Sequence, residues 1–321
     1  MTKILINDGI HADGKLLLEE AGFEIEMEKV PQDKLAEKLP QYDAIVVRSA
    51  TKIRKELIDL CPNLKLIARG GVGLDNIDVD YAKEKGIKVI NTPAASSQSV
   101  AELALGHMLN VSRKLHIANR EMPSKGNTSF KALKKECSKG TELKGKTLGI
   151  IGYGRIGQTI TQIGLALGMR VLPVDLYVDR ATLTFNLYDK GRVGVFAETY
   201  TVSMEEMLQN ADYITLHVPF SGGKPLLGKE EMAKMKKGAV IINTARGGAV
   251  DEDALLEGLK SGQIGGAGLD VFENEPTPKQ ELMDHPSVSV SPHIGASTTE
   301  AQRNIGLELA DQILEFFGAN G

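Results

Sequence analysis

Short apolar runs alternate with amphipathic segments along most of this 321-residue chain. In the first hundred residues, β-rich runs are separated by helical patterns; the runs lie at 3–8, 24–28, 44–49, 64–70 and 88–92, and the helical patterns at 11–21, 33–39, 54–60 and 79–85. Strands that alternate with helices of about three turns predict a parallel sheet covered on both faces. We therefore expect an α/β unit at the start of the chain.

A second α/β unit is predicted from residue 148 onward. Its strands are expected at 148–151, 171–174, 213–218, 239–243, 267–271 and 288–291, with helices at 156–167, 229–236 and 252–261. The last segment, 299–317, is an amphipathic helix that we expect to pack back on the first unit. The predicted architecture is α/β with two doubly wound parallel-sheet domains, a discontinuous one (1–98 plus 293–321) and a continuous one (99–292).

Two segments are each compatible with two structural interpretations. Ser99, with Glu102 three residues later, has the pattern of a capping box at the start of a long apolar-periodic helix over 101–122. This helix is too apolar for an isolated surface position, so it either contacts another subunit or packs within the chain. Residues 176–201 alternate like a β-hairpin around Asp189-Lys190-Gly191, although a mobile loop fits the same composition.

The composition is that of an ordinary soluble globular protein, with 42% hydrophobic and 25% charged residues. A net charge of −4 offers no basic field for nucleic acid, and no apolar run reaches the length of a membrane span. Cys61 and Cys137 are too few and too far apart for a metal site or a disulfide framework. We expect a cytoplasmic protein that binds no metal, no nucleic acid and no membrane.

The run LGIIGYGRIG at 148–157 carries the clearest chemical signal. An apolar strand leads into Gly152, Gly154 and Gly157, spaced as G-x-G-x-x-G where a helix is predicted to begin. Glycines at this spacing allow a tight turn, let the backbone approach a pyrophosphate and open a helix whose N-terminus attracts negative charge. Asp175 follows 18 positions after Gly157, where a carboxylate accepts the ribose hydroxyls of NAD and repels the extra phosphate of NADP. Together these features predict an NAD-binding domain.

Three charged residues are predicted at the carboxyl ends of strands in the second unit. Arg246 follows AVIINTA, Glu275 follows AGLDVFEN, and His293 follows SVSVSP. Ligands bind beyond these strand ends in an open α/β sheet, so the three side chains are expected to converge. An imidazole takes up the hydroxyl proton during hydride transfer, a carboxylate orients the ring, and an arginine grips a substrate carboxylate with two hydrogen bonds. This set predicts oxidation of a 2-hydroxy acid to a 2-keto acid.

Each of these residues also has a purely structural interpretation. Arg246 could pair with Asp251, and Glu275 could be a solvated acid in the run ENEP. His217, at the end of YITLHV, either lines the cofactor site or is a packing residue. The remaining histidines are interpreted as surface or packing residues, namely His11, His107, His116 and His285.

Motifs spread over almost the whole chain resemble one family. They are RSATK (48–52), RGGVGLDNID (69–78), NTP (91–93), ELKGKTLGIIGYGRIG (142–157), NTARGG (243–248), DVFENEP (270–276) and SPHIGAST (291–298). In this combination they are similar to the D-isomer-specific 2-hydroxyacid dehydrogenases, which use NAD. The resemblance implies a flavodoxin-like substrate domain and a Rossmann NAD-binding domain with a cleft between them.

Carried over position by position, the resemblance implies a role for each matching residue. Arg246 is implied as the ligand of the substrate carboxylate, Glu275 and His293 as the acid–base dyad, and Asp175 as the adenosine-ribose ligand. The other implied ligands are Arg155 and Ile156 at the pyrophosphate, Thr244 and Asp270 near the nicotinamide, and the backbone of Val72 and Gly73 at the substrate carboxylate.

The motifs RSATK, GTEL and HIGASTTEAQ are most similar to family members that act on a phosphorylated 2-hydroxy acid. A phosphate needs several cations, and Arg48 and Arg69 are the candidates. Lys134 or Lys135, reaching across from a neighbouring subunit, is a weaker one. Arg48 and Arg69 could instead hold loops together.

The resemblance also bears on assembly, regulation and the alternatives. Family members are typically homodimers through the region corresponding to 100–140, which favours a subunit contact for the helix after Ser99. Longer members carry a serine-binding regulatory domain, whereas this sequence ends soon after its last helix, so we do not expect feedback inhibition by serine. Two alternatives are a member that acts on glyoxylate, hydroxypyruvate or D-lactate, and a nucleotide-sensing binding protein that resembles corepressors of the same fold.

Overall fold

A computed structural model describes residues 1–186, 194–220 and 222–318. The chain forms two compact units, one made of Met1–Ser99 and the stretch from Ala296 onward, the other of Val100–Gly295. It therefore passes between the units twice. The sequence places the second crossing just before His293, whereas the structure keeps His293 in the second unit, together with Arg246 and Glu275.

The first unit is built on a parallel sheet that is apolar on both faces. Its elements are β1 (Lys3–Ile6), α1 (Ala12–Glu20), β2 (Glu24–Glu26), α2 (Leu35–Lys38), β3 (Ala44–Val47), α3 (Lys55–Asp59), β4 (Leu66–Arg69), α4 (Val79–Glu84) and β5 (Lys88–Asn91). The strand order is β2-β1-β3-β4-β5, as in flavodoxin-like sheets. Ile4 and Ile6 pack on one side of the sheet and Leu5 on the other. Strands that are apolar on both faces must be covered on both, which makes this sheet the middle layer of the unit.

The C-terminal helix, Thr299–Phe317, completes the first unit, as its amphipathic pattern predicts. Ile305, Leu309 and Ile313 lie on one helix face and pack into the same cluster as Ile4 of the sheet. Thr298 caps the start of the helix, because its hydroxyl accepts from the Ala301 N–H at 3.1 Å.

The second unit is built on a six-stranded parallel sheet. Its elements are α5 (Ser97–Arg113), α6 (Leu115–Cys137), β6 (Thr147–Ile151), α7 (Arg155–Ala166), β7 (Arg170–Val174), β8 (Arg180–Asn186), β9 (Gly194–Tyr200), α8 (Met204–Asn210), β10 (Tyr213–Leu216), α9 (Lys229–Lys234), β11 (Ala239–Asn243), α10 (Glu252–Ser261), β12 (Ile264–Leu269), α11 (Gln280–Asp284) and β13 (Val288–Val290). The strand order is β13-β12-β11-β10-β6-β7. The first strand, β6, is interior, and the chain proceeds to one side of it and then to the other. This reversal creates the crevice at the carboxyl ends where open α/β sheets bind ligands.

The capping box predicted at Ser99 is wrong. The helix α5 already begins at Ser97, and the Ser99 hydroxyl lies 2.7 Å from the hydroxyl of Thr298 instead of capping its own helix. The apolar segment is also not one helix, because Lys114 adopts a left-handed φ of 55° between α5 and α6. Within the described ranges, no helix has the length and apolar character needed to cross a membrane.

The stretch after β7 forms an antiparallel ribbon, which confirms the hairpin interpretation for its two strands. β8 pairs with β9, so that Leu183 lies opposite Ala197, while the predicted turn at 189–191 lies outside the described residues. The ribbon packs beside α7, where the side-chain amide of Gln162 donates to the Thr184 carbonyl at 2.7 Å. The Tyr153 hydroxyl of the glycine turn also contacts the Thr199 hydroxyl of β9.

Candidate active site

The glycine turn lies where β6 ends and α7 begins. Gly152 has a φ of 97°, in the left-handed region that glycine adopts without strain. A Cβ at Gly157 would overlap the carbonyl oxygen of Gly152, so only glycine lets the helix start this close to the strand. Gly154 is the N-cap of α7 and contributes no capping side chain. The first N–H groups of the helix, including those of Arg155 and Ile156, therefore form an N-terminus suited to a pyrophosphate.

Asp175 closes this turn from the neighbouring strand. It follows β7, and its Oδ2 accepts from the Tyr153 N–H at 2.6 Å. Its Oδ1 accepts from the N–H groups of Tyr177 and Val178 at 2.8 and 3.1 Å. Partial burial raises the pKa of Asp175, but the backbone hydrogen bonds outweigh burial and hold the pKa below its usual value. An ionised carboxylate beside the glycine turn favours a ribose diol over a ribose phosphate.

Two buried polar atoms at neighbouring strand ends have no hydrogen-bond partner among the residues that the structure describes. They are Nδ1 of His217, after β10, and Oγ1 of Thr244, after β11. The His217 carbonyl also lies against Gly152, where a Cβ would stand 2.6 Å from its oxygen. A buried polar atom without a partner is costly, and a bound ligand removes that cost. A dinucleotide cofactor fits this edge of the sheet, where it would contact the glycine turn, Asp175 and these two polar atoms.

Burial keeps His217 neutral. It lowers the pKa of His217 to about 3, and the Nε2 atom lies 3.0 Å from the Thr215 hydroxyl. The unfolded chain, with a histidine pKa of about 6.5, takes up a proton at this residue that the folded chain excludes. Stability contributed by His217 is therefore complete above about pH 6.5 and is lost as the pH falls below it.

We expect the free energy of unfolding to fall below about pH 6.5, with His217 contributing up to about 1.4 kcal/mol per pH unit. Urea unfolding at several pH values measures this slope. His217→Gln should flatten it, whereas His116→Gln should leave it close to that of the unmodified chain. Parallel pH dependences for the His217 variant and the unmodified chain would contradict the expectation.

His293 and Glu275 form a hydrogen-bonded pair. The Nδ1 atom of His293 lies 2.8 Å from Oε2 of Glu275, and Oε1 of Glu275 accepts from the Phe272 N–H at 3.0 Å. Two contacts hold this carboxylate, so Glu275 is not merely a solvated acid. Since Nδ1 faces the carboxylate, Nε2 is the ring nitrogen that can meet a substrate, and half of the His293 side chain is exposed. An imidazole oriented in this way can take up or release a proton at Nε2.

Asp270 holds the loop that carries His293. Its Oδ1 accepts from the Ile294 N–H at 2.9 Å, its Oδ2 from the Gly295 N–H at 2.8 Å, and its backbone carbonyl from the His293 N–H at 2.8 Å. His293 has a φ of 54°. This left-handed conformation costs a non-glycine residue about 1–2 kcal/mol and persists where its surroundings enforce it. Asp270 is 1% exposed, so its carboxylate acts on the loop, and a direct contact with nicotinamide stays a prediction.

Arg246 is presented by a turn that closes directly after β11. Asn243 accepts from the Ala245 N–H through its side-chain oxygen at 3.1 Å and donates to the Arg246 carbonyl at 2.9 Å. The Arg246 Nη1 donates to the Ala245 carbonyl at 2.6 Å. Asp251, the alternative partner considered for Arg246, caps α10 by accepting from the helix N–H groups.

The loops of Arg246, Glu275 and His293 are in direct contact. A Cβ at Gly247, next to Arg246, would overlap the carbonyl oxygen of Phe272. Phe272 in turn donates its N–H to Glu275, which pairs with His293. The structure thus brings the three predicted catalytic residues to neighbouring loops at one edge of the sheet.

Arg48 and Arg69 lie at adjacent strand ends of the first unit. β3 and β4 are paired with Val47 opposite Arg69, so Arg48 is one residue beyond that pair. A Cβ at Gly70 would stand 3.7 Å from Cγ of Arg48, and one at Gly71 would overlap the guanidinium of Arg69. Both arginine side chains therefore lie beside the Gly70-Gly71 turn.

Side chains of neighbouring loops fix this edge of the first unit. The Thr92 hydroxyl accepts from the Gly71 N–H at 2.8 Å, and the Asn91 side chain donates to the Val72 carbonyl at 2.7 Å, which holds the turn that continues to Gly73. Asp8 accepts from the Arg48 N–H at 2.7 Å. Arg48 is therefore held through its backbone, and its guanidinium is not required for that contact.

Comparisons with known proteins agree with this picture. Residues 105–295 match the family model described as "D-isomer specific 2-hydroxyacid dehydrogenase, NAD binding domain". The chain is 43% identical over 322 residues to a hydroxypyruvate reductase from Thermotoga maritima, covering 98% of each chain. It is also 43% identical over 319 residues to a D-3-phosphoglycerate dehydrogenase from Methanocaldococcus jannaschii, covering 98% of this chain but 57% of that protein. An NAD⁺-bound 3-phosphoglycerate dehydrogenase from Entamoeba histolytica superimposes with a TM-score of 0.77 at 29% identity, over 99% of this chain and 95% of that one.

The fold and the site define an NAD-dependent oxidoreductase. The chain belongs to the D-isomer-specific 2-hydroxyacid dehydrogenase family, and its cofactor is NAD.

Proposed function

We propose that this chain oxidises 3-phospho-D-glycerate at its C2 hydroxyl to 3-phosphohydroxypyruvate, the reaction of a D-3-phosphoglycerate dehydrogenase. The observation that carries this choice of substrate is the placement of Arg48 and Arg69 around Gly70-Gly71, because a phosphate monoester needs more than one cation. The likeness to the Methanocaldococcus jannaschii enzyme supports it. The first step of phosphorylated serine synthesis would be its place in metabolism.

The chemistry rests on the three residues of the second unit. When bound, NAD⁺ supplies the acceptor for the hydride that leaves C2. Nε2 of His293 accepts the hydroxyl proton as the C2–O bond becomes a carbonyl, and Glu275 stabilises the resulting imidazolium through Nδ1. Arg246 holds the substrate carboxylate through two parallel hydrogen bonds, which orients C2 for the transfer.

A reductase of hydroxypyruvate is the second candidate. The specific observation in its favour is the 43% identity to the Thermotoga maritima hydroxypyruvate reductase over 98% of both chains. The two candidates share the chemistry at His293 and differ in whether a phosphate is recognised.

A substrate panel distinguishes the two candidates, with NADH formation or consumption followed by absorbance. We expect 3-phospho-D-glycerate to be used with a kcat/KM at least about tenfold above that of D-glycerate, since a hydrogen bond to a charged group contributes about 1.5–3 kcal/mol. Arg48→Ala and Arg69→Ala should each raise the KM for the phosphorylated acid about tenfold or more and leave D-glycerate almost unaffected.

Arg54→Ala is the matched control, because Arg54 in the same unit is paired with Asp78 at 2.9 Å. Equal kcat/KM values for 3-phospho-D-glycerate and D-glycerate would remove the case for phosphoglycerate and favour the reductase. The same would follow if Arg48→Ala and Arg69→Ala impaired the use of both acids equally.

We also propose that the chain is a homodimer through the segment 100–140. Its support is four apolar side chains on α5 and α6 that are 39–57% exposed, namely Leu109, Leu115, Met122 and Phe130. Lys134 and Lys135, in the last turn of α6, would then lie near the contact between subunits. Light scattering should give twice the chain mass, and Phe130→Asp should shift it toward the monomer; a monomer at all concentrations would contradict the proposal.

A further inference from the structure

His107 is a buried histidine that the chemistry above does not use. It lies in α5, is 3% exposed, and packs against Gly268 of β12, which has no side chain. A Cβ at Gly268 would collide with the Cβ of His107, so the helix approaches the sheet closely at this point. One turn further along α5, Val111 occupies the same kind of position over Gly266.

The His107 ring bridges Ser289 of β13 and Ser291, which directly follows that strand. Its Nδ1 lies 2.9 Å from the Ser289 hydroxyl, and its Nε2 lies 2.9 Å from the Ser291 hydroxyl. Ser291 donates its only hydroxyl proton to Oδ1 of Asp270 at 2.6 Å. The Ser291 oxygen must therefore accept from His107, which places the imidazole proton on Nε2. Nδ1 is then an acceptor for the Ser289 hydroxyl.

The protonation state agrees with this geometry. Burial lowers the pKa of His107; the nearby Asp270 acts in the opposite direction and His116 in the same one. A neutral ring has one donor and one acceptor, and the chain from Ser289 through His107 and Ser291 to Asp270 uses both. Its last member is the residue whose carboxylate and carbonyl hold the His293 loop.

We propose that His107 is a positioning residue for the acid–base dyad, acting through Ser291 and Asp270 on the backbone of the His293 loop. The inference rests on the proposed function for the role of His293. Ser291 presents its proton to Asp270 because its oxygen is occupied by the His107 Nε2–H. Asp270 in turn stays oriented toward the N–H groups of Ile294 and Gly295, which enforce the left-handed φ of His293.

The alternative is that His107 only fills space between α5 and the sheet, and two amide variants separate the possibilities. In His107→Gln the amide nitrogen reaches the position of Nε2 and can still donate to Ser291. In His107→Asn the amide reaches only the position of Nδ1. Both place an amide in the same cavity, so a packing role predicts similar effects, whereas a positioning role predicts rescue by Gln alone.

The experiment measures kcat and KM of the full-length chain for each variant. We expect His107→Leu, His107→Asn and Ser291→Ala to lower kcat about tenfold or more without a matching change in KM, since a small displacement of a reacting group has effects of this order. His107→Gln should stay close to the unmodified chain. The double variant His107→Leu/Ser291→Ala should be no slower than either single variant, because both break the same chain of hydrogen bonds.

Two controls match these variants. Ser289→Ala removes the contact at Nδ1 but leaves the donor to Ser291, and should keep its kcat. Val111→Ala removes packing of α5 over the neighbouring glycine and should lower stability without lowering kcat.

A second measurement makes the inference independent of turnover. Hydrogen exchange of the segment 288–299 should accelerate in His107→Leu and His107→Asn but not in His107→Gln, because the bonded N–H groups of Ile294 and Gly295 lie there. If the chain turned over a different 2-hydroxy acid, the proposed substrate would fail while this pattern stood. Unchanged exchange and kcat in all His107 variants, or equal losses in Gln and Asn, would overturn the inference.

Discussion

Replacing His293 with alanine should abolish nearly all turnover while leaving NAD binding intact. General acid–base catalysis by a positioned side chain contributes about 10²–10⁴-fold, and we expect kcat to fall within that range. The loss should appear in kcat, because Nε2 acts on the proton that moves during the reaction. Calorimetric titration with NADH should give an affinity close to that of the unmodified chain, since the residues predicted to bind the dinucleotide lie on other loops.

Glu275→Gln should lose less, because the amide still accepts a hydrogen bond from Nδ1 but no longer supplies a charge for the imidazolium. Added imidazole should restore part of the activity of His293→Ala. His285→Ala provides the matched control, since the His285 Nδ1 accepts from the nearby Ser287 N–H at 3.2 Å, and this variant should keep full activity. A His293→Ala enzyme with nearly unchanged kcat would remove this residue from the chemistry.

Arg246→Lys should lower kcat/KM by about 10²-fold, although the positive charge is kept. Lysine is a point charge and cannot form the two parallel hydrogen bonds of a guanidinium with a carboxylate. Each hydrogen bond to a charged group is worth about 1.5–3 kcal/mol, so Arg246→Ala should lose still more. Steady-state kinetics with the 2-hydroxy acid measures both losses.

A substrate in which an amide replaces the carboxylate tests the assignment of Arg246 directly. The unmodified chain should use this analogue poorly, and Arg246→Lys should add little further loss, because the interaction is already missing. Arg170→Lys, at the exposed first position of β7, serves as the control and should leave both substrates unaffected. If the effects of Arg246→Lys and of the amide multiplied independently, Arg246 would not contact the carboxylate.

The arrangement of strands could be predicted from the sequence because it depends on local patterns. Runs such as AIVV and AVII are apolar at every position, which is typical of strands buried on both faces, and they form β3 and the first four residues of β11. The glycine turn is equally local, since Gly152 and Gly157 meet within one strand–turn–helix unit. The positions of these strands and of this turn are determined by residues that are close together in the chain.

The errors arise from contacts between distant residues. Ser99 has the sequence of a helix cap, but the helix begins at Ser97 and the Ser99 hydroxyl pairs with Thr298, which lies 199 positions away. The role of Asp270 could not be predicted for the same reason, because its partners are the N–H groups of a loop that follows another strand. Short helices such as α8 and α11 also lack the periodicity that longer ones provide.

The sequence predicts the catalytic residues of the candidate site, but not the residues that hold the catalytic loops in place. Arg246, Glu275 and His293 each stand at the end of an apolar run, where the topology of a parallel sheet brings them together. His107 gave no such signal, because a single histidine on a helix is usually a packing residue. The alternation of Ser289 and Ser291 in the last predicted strand was the available hint, since residues two apart face the same side.

The proposed hydride transfer is tested most directly by following the hydrogen at C2. The unmodified chain is given NAD⁺ and 3-phospho-D-glycerate deuterated at C2, and the reduced cofactor is analysed by mass spectrometry. We expect the reduced cofactor to gain the deuterium, because the hydride passes directly from C2 while His293 takes only the hydroxyl proton. Reduced cofactor without deuterium, or no reduced cofactor at all, would contradict it.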